Sequence, residues 1–418
     1  MFDMKSTRRW VAMGLAMCVA MAAGLFLATP AQAQYGQAAN FAEVLNPEIF
    51  RRDLQLIQEG LDLDEAQSAI LESIYFQYED AFEAGKQAML NRFQEMREEL
   101  QNSDRERVLQ LVFTPFEEWA RDRLALREDF IANVQVILNE EQMAAWPAFY
   151  RDFTRTKALP RGQLSGERVD LFRIIEDMSL PLETKSSLEL ALESYGVQLH
   201  QALERREAAI REGQTKTIEA MRNQDEALSA EASLTEIDAR VRVRDVNDRF
   251  IEEIANQLPE RHRDAFRQKA LESGYPRAYR PTAAVQVFEA ALELEGLSPQ
   301  TVNAIRQLQA EFLAEMATIN RRLLAMTREF EPKQAEHRAT AYREQVEGRR
   351  VARLEDPRRE DYDLRRDLGR RYVEQLRELM TEEEFARIPG TARVLREPRV
   401  NPGGLQEMLD TSGKRGGR

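Results

Sequence analysis

The sequence predicts an all-α protein of long amphipathic antiparallel helices, arranged as three tandem helical-hairpin units. Three observations carry this. Glu, Arg, Leu, Ala and Gln dominate a 418-residue chain with only 19 glycines and 15 prolines, and these are strong helix formers. Apolar residues recur at steps of three, four and seven, which place them on one helical face. No half of the chain alternates apolar and polar residues with the period of two that strands require.

The chain opens with an export signal. Lys5, Arg8 and Arg9 stand against one acid, Asp3, and an apolar run extends from Val11 to Ala28. Thr29-Pro30 and the triplet Ala31-Gln32-Ala33 follow. A basic start, an apolar core and an A-x-A site define a cleavable signal peptide over residues 1–33. The run is short for a membrane anchor, so the mature chain is expected to keep no stable span and to work in the periplasm or otherwise outside the cytoplasm. Arg8-Arg9 leaves the choice between the general and the twin-arginine route open.

Cleavage removes Cys18, the only cysteine, and with it every disulfide and thiolate metal ligand. Without the leader's three bases and one acid, 56 basic and 71 acidic residues remain, a formal charge of −15. Such a balance argues against nucleic acid or anionic lipid as the main partner.

One short pattern recurs: an apolar residue, a polar capper, two variable residues, then Gln or a substitute. It reads Leu63-Asp64-Glu65-Ala66-Gln67 and Leu138-Asn139-Glu140-Glu141-Gln142. Looser copies start at Leu182 and Leu258, and a third pair comprises Leu297-Ser298-Pro299-Gln300-Thr301 and Met380-Thr381-Glu382-Glu383-Glu384. Within the pairs the apolar residues lie 75, 76 and 83 positions apart. Each pattern is a capping box: the capper accepts an N–H of the first turn, and the Gln or Glu reaches back to the capper's own N–H. The spacing sets helical units at 48–160, 161–282 and 283–395, after a linker at 34–47 and before a disordered tail at 396–418.

Elements follow in order. Leu54, Leu56 and Ile57 mark an entry helix that ends at Gly60, a good C-terminal residue. A long helix after Asp64 carries its stripe at Ile70, Ile74, Tyr78, Phe82, Met89, Phe93, Met96 and Leu100. Asn102-Ser103-Asp104 breaks it. Thr114-Pro115 is expected to cap and restart or kink the return helix, which continues through Trp119, Leu126, Phe130, Val134 and Ile137. Leu171, Phe172, Ile174 and Ile175 form the second entry helix. Links fall at Leu159-Pro160-Arg161-Gly162 and Gly274-Tyr275-Pro276.

An exported helical chain with paired boxes of this kind resembles the LTxxQ-motif family of periplasmic proteins, the Spy/CpxP-like group. The resemblance rests on Leu63 to Gln67 and Leu138 to Gln142, with partial matches at Leu297 to Thr301 and Met380 to Glu384. That family includes ATP-independent chaperones, envelope-stress modulators and relatives that sense or bind metal; the resemblance implies a protein of chaperone or envelope-stress type acting on unfolded or envelope proteins, a role that needs no cofactor. Two departures stand out. Family members are single units that commonly dimerise, whereas this chain is a tandem. Their chaperone surface is basic, whereas this chain is acidic.

No zinc-protease, nucleophile-elbow, phosphate-loop or dinucleotide motif occurs, so the chain reads as a non-enzyme. His200, His262 and His337 lie 62 and 75 positions apart, too far for a short-spaced metal site, and read as solvent-facing helix residues. His262 stands where the box expects Gln. Nine arginines between Arg349 and Arg371 alternate with acids and read as a salt-bridged helical face. Met89 and Met96 read as core. The expected function is an exported helical binding protein of chaperone type. The alternatives are a coiled-coil-like envelope scaffold, in either case able to form homo-oligomers, and behind it a metal-responsive protein.

Overall fold

The computed structural model describes residues 45–396 apart from 97–98, 100–104 and 224. The expected leader, the linker up to residue 44, the Asn102-Ser103-Asp104 break and the tail beyond 396 lie outside the described residues. Every regular element among the described residues is helical. No described helix is long and apolar enough to cross a membrane.

The chain packs as two compact units. The first holds residues up to Gly274 together with Phe330–Glu355; the second holds Tyr275–Glu329 and the residues from Asp356 on. The expected boundary at 160/161 therefore falls inside the first unit, and residues 330–355 of the expected third hairpin belong to the first unit as well.

The first unit begins with α1 (Arg51–Gly60), α2 (Glu65–Glu95), α3 (Arg105–Val136) and α4 (Glu140–Ala158). Helices α2 and α3 form an antiparallel hairpin, marked by Tyr78 against Phe130 at 5.6 Å and Phe93 against Phe116 at 5.1 Å. Phe82, Met89, Phe93 and Trp119 form one cluster; Leu71, Tyr75, Tyr78, Phe130, Val134 and Trp146 belong to another. Each such aromatic contact contributes about 0.5–1.5 kcal/mol beyond area burial.

Two local expectations are corrected here. In the first turns of α2 the buried residues are Leu71 and Tyr75, while Ile70 is 47% exposed. Leu71, Tyr75, Tyr78 and Phe82 are spaced four, three and four apart, so they share the face that Ile70 misses by one position. Pro115 does not restart a helix, because α3 runs through it. Thr114 is not a cap there; its hydroxyl accepts from Arg222 at 3.4 Å. The entry helix does end at Gly60; the left-handed residue beyond it is Asp62, at φ 48°, and the Leu63 N–H reaches back to the Gln58 carbonyl at 3.0 Å. Gly60 lies against the Phe149 ring, where a Cβ would come within 2.6 Å of a ring carbon.

The unit continues through a 3₁₀ turn (Leu159–Arg161), α5 (Leu171–Glu176), α6 (Leu182–Ser187), α7 (Glu189–Asn223), α8 (Glu226–Gln257) and α9 (Glu260–Gly274). Helices α7 and α8 form a second antiparallel hairpin, and α7 also packs on α3 and α4. A buried ion cluster holds the loop before α5. Glu167 and Arg206 are both fully buried. The Glu167 carboxylate accepts the N–H groups of Gln163 and Leu164 at 2.6 Å, Arg206 at 3.2 Å and Arg240 at 3.5 Å. Removing one member of such a group strands a buried charge, at a cost of about 3–5 kcal/mol.

The second unit contains α10 (Pro276–Tyr279), α11 (Ala283–Leu292), residues 299–329 of α12 (Pro299–Val346), α13 (Arg359–Glu378), α14 (Glu382–Ala386) and α15 (Thr391–Leu395). Phe288 stacks on Phe312 at 5.5 Å, and Tyr372 meets Phe312 tilted at 5.3 Å. Arg322 pairs with Asp361 and Glu315 with Arg371, which sets α12 antiparallel to α13. Of the arginine-rich run only residues from Arg359 on are helical. Residues 349–356 carry no regular structure, and Arg358 turns back to Asp356 at 2.8 Å.

Candidate functional site

The two boxes of the first unit meet. Asp64 accepts the Gln67 N–H at 2.8 Å, and Gln67 Oε1 accepts the Asp64 N–H at 3.1 Å. Asn139 and Gln142 repeat this at 2.8 and 2.9 Å. The two glutamine amides then face each other. Gln67 Nε2 donates to Gln142 Oε1 at 2.7 Å, and Gln142 Nε2 donates to Gln67 Oε1 at 2.9 Å. The remaining Nε2 hydrogens go to backbone carbonyls, Ile137 at 2.7 Å for Gln67 and Asp62 at 3.3 Å for Gln142.

Each amide thus makes all four of its hydrogen bonds. The left-handed backbone of Asp62, a residue type that tolerates it, forms part of the Gln142 pocket. Leu63 and Leu138 pack against the adjoining core cluster. The arrangement ties the start of α2 to the start of α4, which are 75 residues apart in the chain.

The other boxes behave differently. Thr381 caps Glu384 at 3.3 Å, and the Glu384 carboxylate accepts the Thr381 N–H and hydroxyl at 2.8 and 2.9 Å. These bonds, the backbone one foremost, hold Glu384 below its ordinary 4.5. Ser298 caps Thr301 at 3.0 Å with Pro299 opening the helix. In the C-terminal pair the fourth position is Thr or Glu, and Leu297 and Met380 are half-buried. The looser copies are not boxes. Helix α6 starts after Pro181 without a side-chain cap, and Leu182 is 80% exposed. His262 does not cap; its Nε2 accepts from Arg261 at 3.0 Å.

His200 is not solvent-facing, and this is a further correction. Its side chain is 16% exposed, edge-on to Tyr150 at 6.0 Å, with Nε2 3.3 Å from Glu204. Burial holds its pKa below the ordinary 6.5; Glu204 opposes the shift and Arg151 adds to it. His200 lines a cleft of about 170 Å³ with Arg151, Asp152, Arg155, Phe172 and Gly196. Arg155 stacks over Phe172 at 4.2 Å and bonds Asp170 at 3.1 Å. Sequence reasoning missed this cleft. Its one legible signal is Gly196, a lone glycine inside a helical pattern, which lies against the Phe172 ring. His337 is half-buried and contacts the Ala352 carbonyl at 2.8 Å.

Among the described residues no three His, Cys, Asp or Glu side chains are grouped to hold a metal ion. Large apolar side chains stand exposed on the first unit, including Phe76 at 48% and Val136 at 81%. Compared with protein-family models, curated proteins and solved structures, the chain gives no match.

Proposed function

We propose that this is an exported helical binding protein of chaperone or envelope-stress type, with residues 48–160 as its Spy/CpxP-like unit. The observation that supports this reading is the reciprocal Gln67–Gln142 amide pair. It gives the two boxes a joint role that chance helix starts do not have. Binding would use the exposed apolar side chains of that unit, Ile70, Phe76, Val136 and Met143. Each offers a weak hydrophobic tether, and the surrounding acidic and basic side chains keep contacts reversible and the complex soluble.

The test is an aggregation assay with residues 34–418 and a heat-unfolded client. Protection at sub-stoichiometric to equimolar protein is expected, and Phe76→Gln with Val136→Gln weakens it. No protection together with no peptide binding ends this reading.

A second reading, an envelope scaffold, is favoured by one observation. The outer helix faces carry short-range ion pairs such as Lys86–Glu83, Lys216–Glu212 and Arg366–Asp363, which suit a solvated spacer. Capture of one fixed partner in place of many clients distinguishes it.

A further inference from the structure

The α7–α8 hairpin has a fixed side-chain register. Arg249 donates to Gln198, and Lys216 pairs with Glu231 at 3.3 Å. Eighteen residues separate these two pairs on each helix, forward along α7 and backward along α8. The same register, two turns on from Gln198, sets Arg205 opposite Arg242. Where the flanking positions match a donor with an acceptor or a cation with an anion, this one matches two guanidinium groups.

Both arginines line an open groove of about 260 Å³ whose other walls are Gln198, Gln201, Ala202, Asp245, Val246 and Arg249. No described carboxylate pairs with Arg205. Arg242 has only Asp238 at 2.8 Å on its own helix, and both of these side chains are more than half exposed, so that pair holds it weakly. Asp245, the one acid of the groove, is engaged by Arg244 at 3.1 Å. Facing like charges repel unless an anion lies between them. Guanidinium forks suit the oxygens of phosphate, and the Gln201 amide adds a neutral donor.

We propose that this groove is a binding site for a phosphate-type oxyanion, held between Arg205 and Arg242 with Arg249 at one end. The chain's net charge of −13 repels anions in general, so binding would depend on these residues and not on bulk charge. The anion is either free phosphate, including a soluble phosphomonoester, or the phosphate of a lipid headgroup.

Titration calorimetry of residues 34–418 with inorganic phosphate at low ionic strength addresses the first source. Co-sedimentation with phosphatidylglycerol vesicles addresses the second. The expected result is saturable binding in at least one arm, weakened at least tenfold by R205Q or R242Q and unchanged by the neighbouring K216Q. Phosphate should also raise the thermal midpoint of the parent chain more than that of R205Q at matched ionic strength. Calorimetric binding alone identifies a free ligand, and arginine-dependent sedimentation identifies a headgroup. Absence of binding in both arms overturns the site, as does binding that survives both substitutions. Capture of acidic peptides without either phosphate response overturns it too.

Discussion

The first and last box pairs start from the same capping chemistry and end in different structures. At Asp64-Gln67 and Asn139-Gln142 the fourth residue is an amide, which donates and accepts at once. It caps its own helix and still has hydrogens for its counterpart, so two helix starts become one polar joint. At Thr381-Glu384 the fourth residue is a carboxylate, which only accepts; its bonds go to Thr381. At Ser298 it is Thr301, whose hydroxyl meets the Ser298 hydroxyl at 2.9 Å. A capping box therefore fixes where a helix begins. A box ending in Gln can also fix which helix start lies beside it.

The largest effect that sharpens this contrast is expected from Gln142→Leu. Gln142 is buried, and its loss takes a partner from the Asn139 N–H and the Asp62 carbonyl and leaves the Gln67 amide with two of its four bonds. Each stranded group costs about 1–3 kcal/mol, so denaturant unfolding should show a loss of about 2–4 kcal/mol. A loss within the error of extrapolation would mean that the joint contributes nothing.

Next comes packing farther along the α2–α3 hairpin. Gly85 lies directly under the Trp119 ring, with no room for a Cβ. Phe82 stands against the same ring at 5.1 Å, which restricts its retreat. Gly85→Ala should cost about 1–3 kcal/mol through overpacking, despite its gain in helix propensity. An unchanged or raised midpoint would show that the α2–α3 interior is loosely packed.

A smaller effect concerns His200. Its folded pKa lies below the ordinary 6.5, so the unfolded chain takes up the proton first. Stability from this group is complete above about pH 6.5 and is lost as pH falls from there toward the folded value. His200→Gln should flatten that part of the stability profile. An unaltered slope would assign it to other groups.

The smallest effect is expected at the last pair. Glu384→Gln keeps an acceptor for the Thr381 N–H but loses the charge, so the midpoint near neutral pH should fall only slightly. Because Glu384 is held below 4.5, its contribution is present above that pH and lost as pH falls through the folded value. The variant should lack this small acid-limb loss. A marked loss at neutral pH would show that the carboxylate does more than cap.

Much of this was legible in the sequence. The cappers Asp64, Asn139, Ser298 and Thr381 are readable because capping is local chemistry within four residues. The all-helical class is readable because periodicity is local as well. The Gln67–Gln142 contact is not, since it depends on packing across 75 residues. The stripe of α2 holds at Tyr78, Phe82, Met89 and Phe93 but is off by one position in the first turns, because Ile70 and Leu71 are equally apolar and only the partner helix decides between them. Pro115 inside α3 and the irregular stretch at 349–356 show tertiary context overriding local preference. The clefts beside α7 escaped because their residues come from separate helices.

A double-mutant cycle on Gln67→Leu and Gln142→Leu tests the central claim most directly, with Ser298→Ala and Thr381→Ala as the comparison cycle. The account predicts strong non-additivity in the first, with a coupling of about 1–3 kcal/mol. The double variant should then be little worse than either single one. In the comparison cycle the costs should add within about 0.5 kcal/mol. Additive costs in the Gln67–Gln142 cycle would contradict a joint between the two boxes and remove the main support for reading them as a pair.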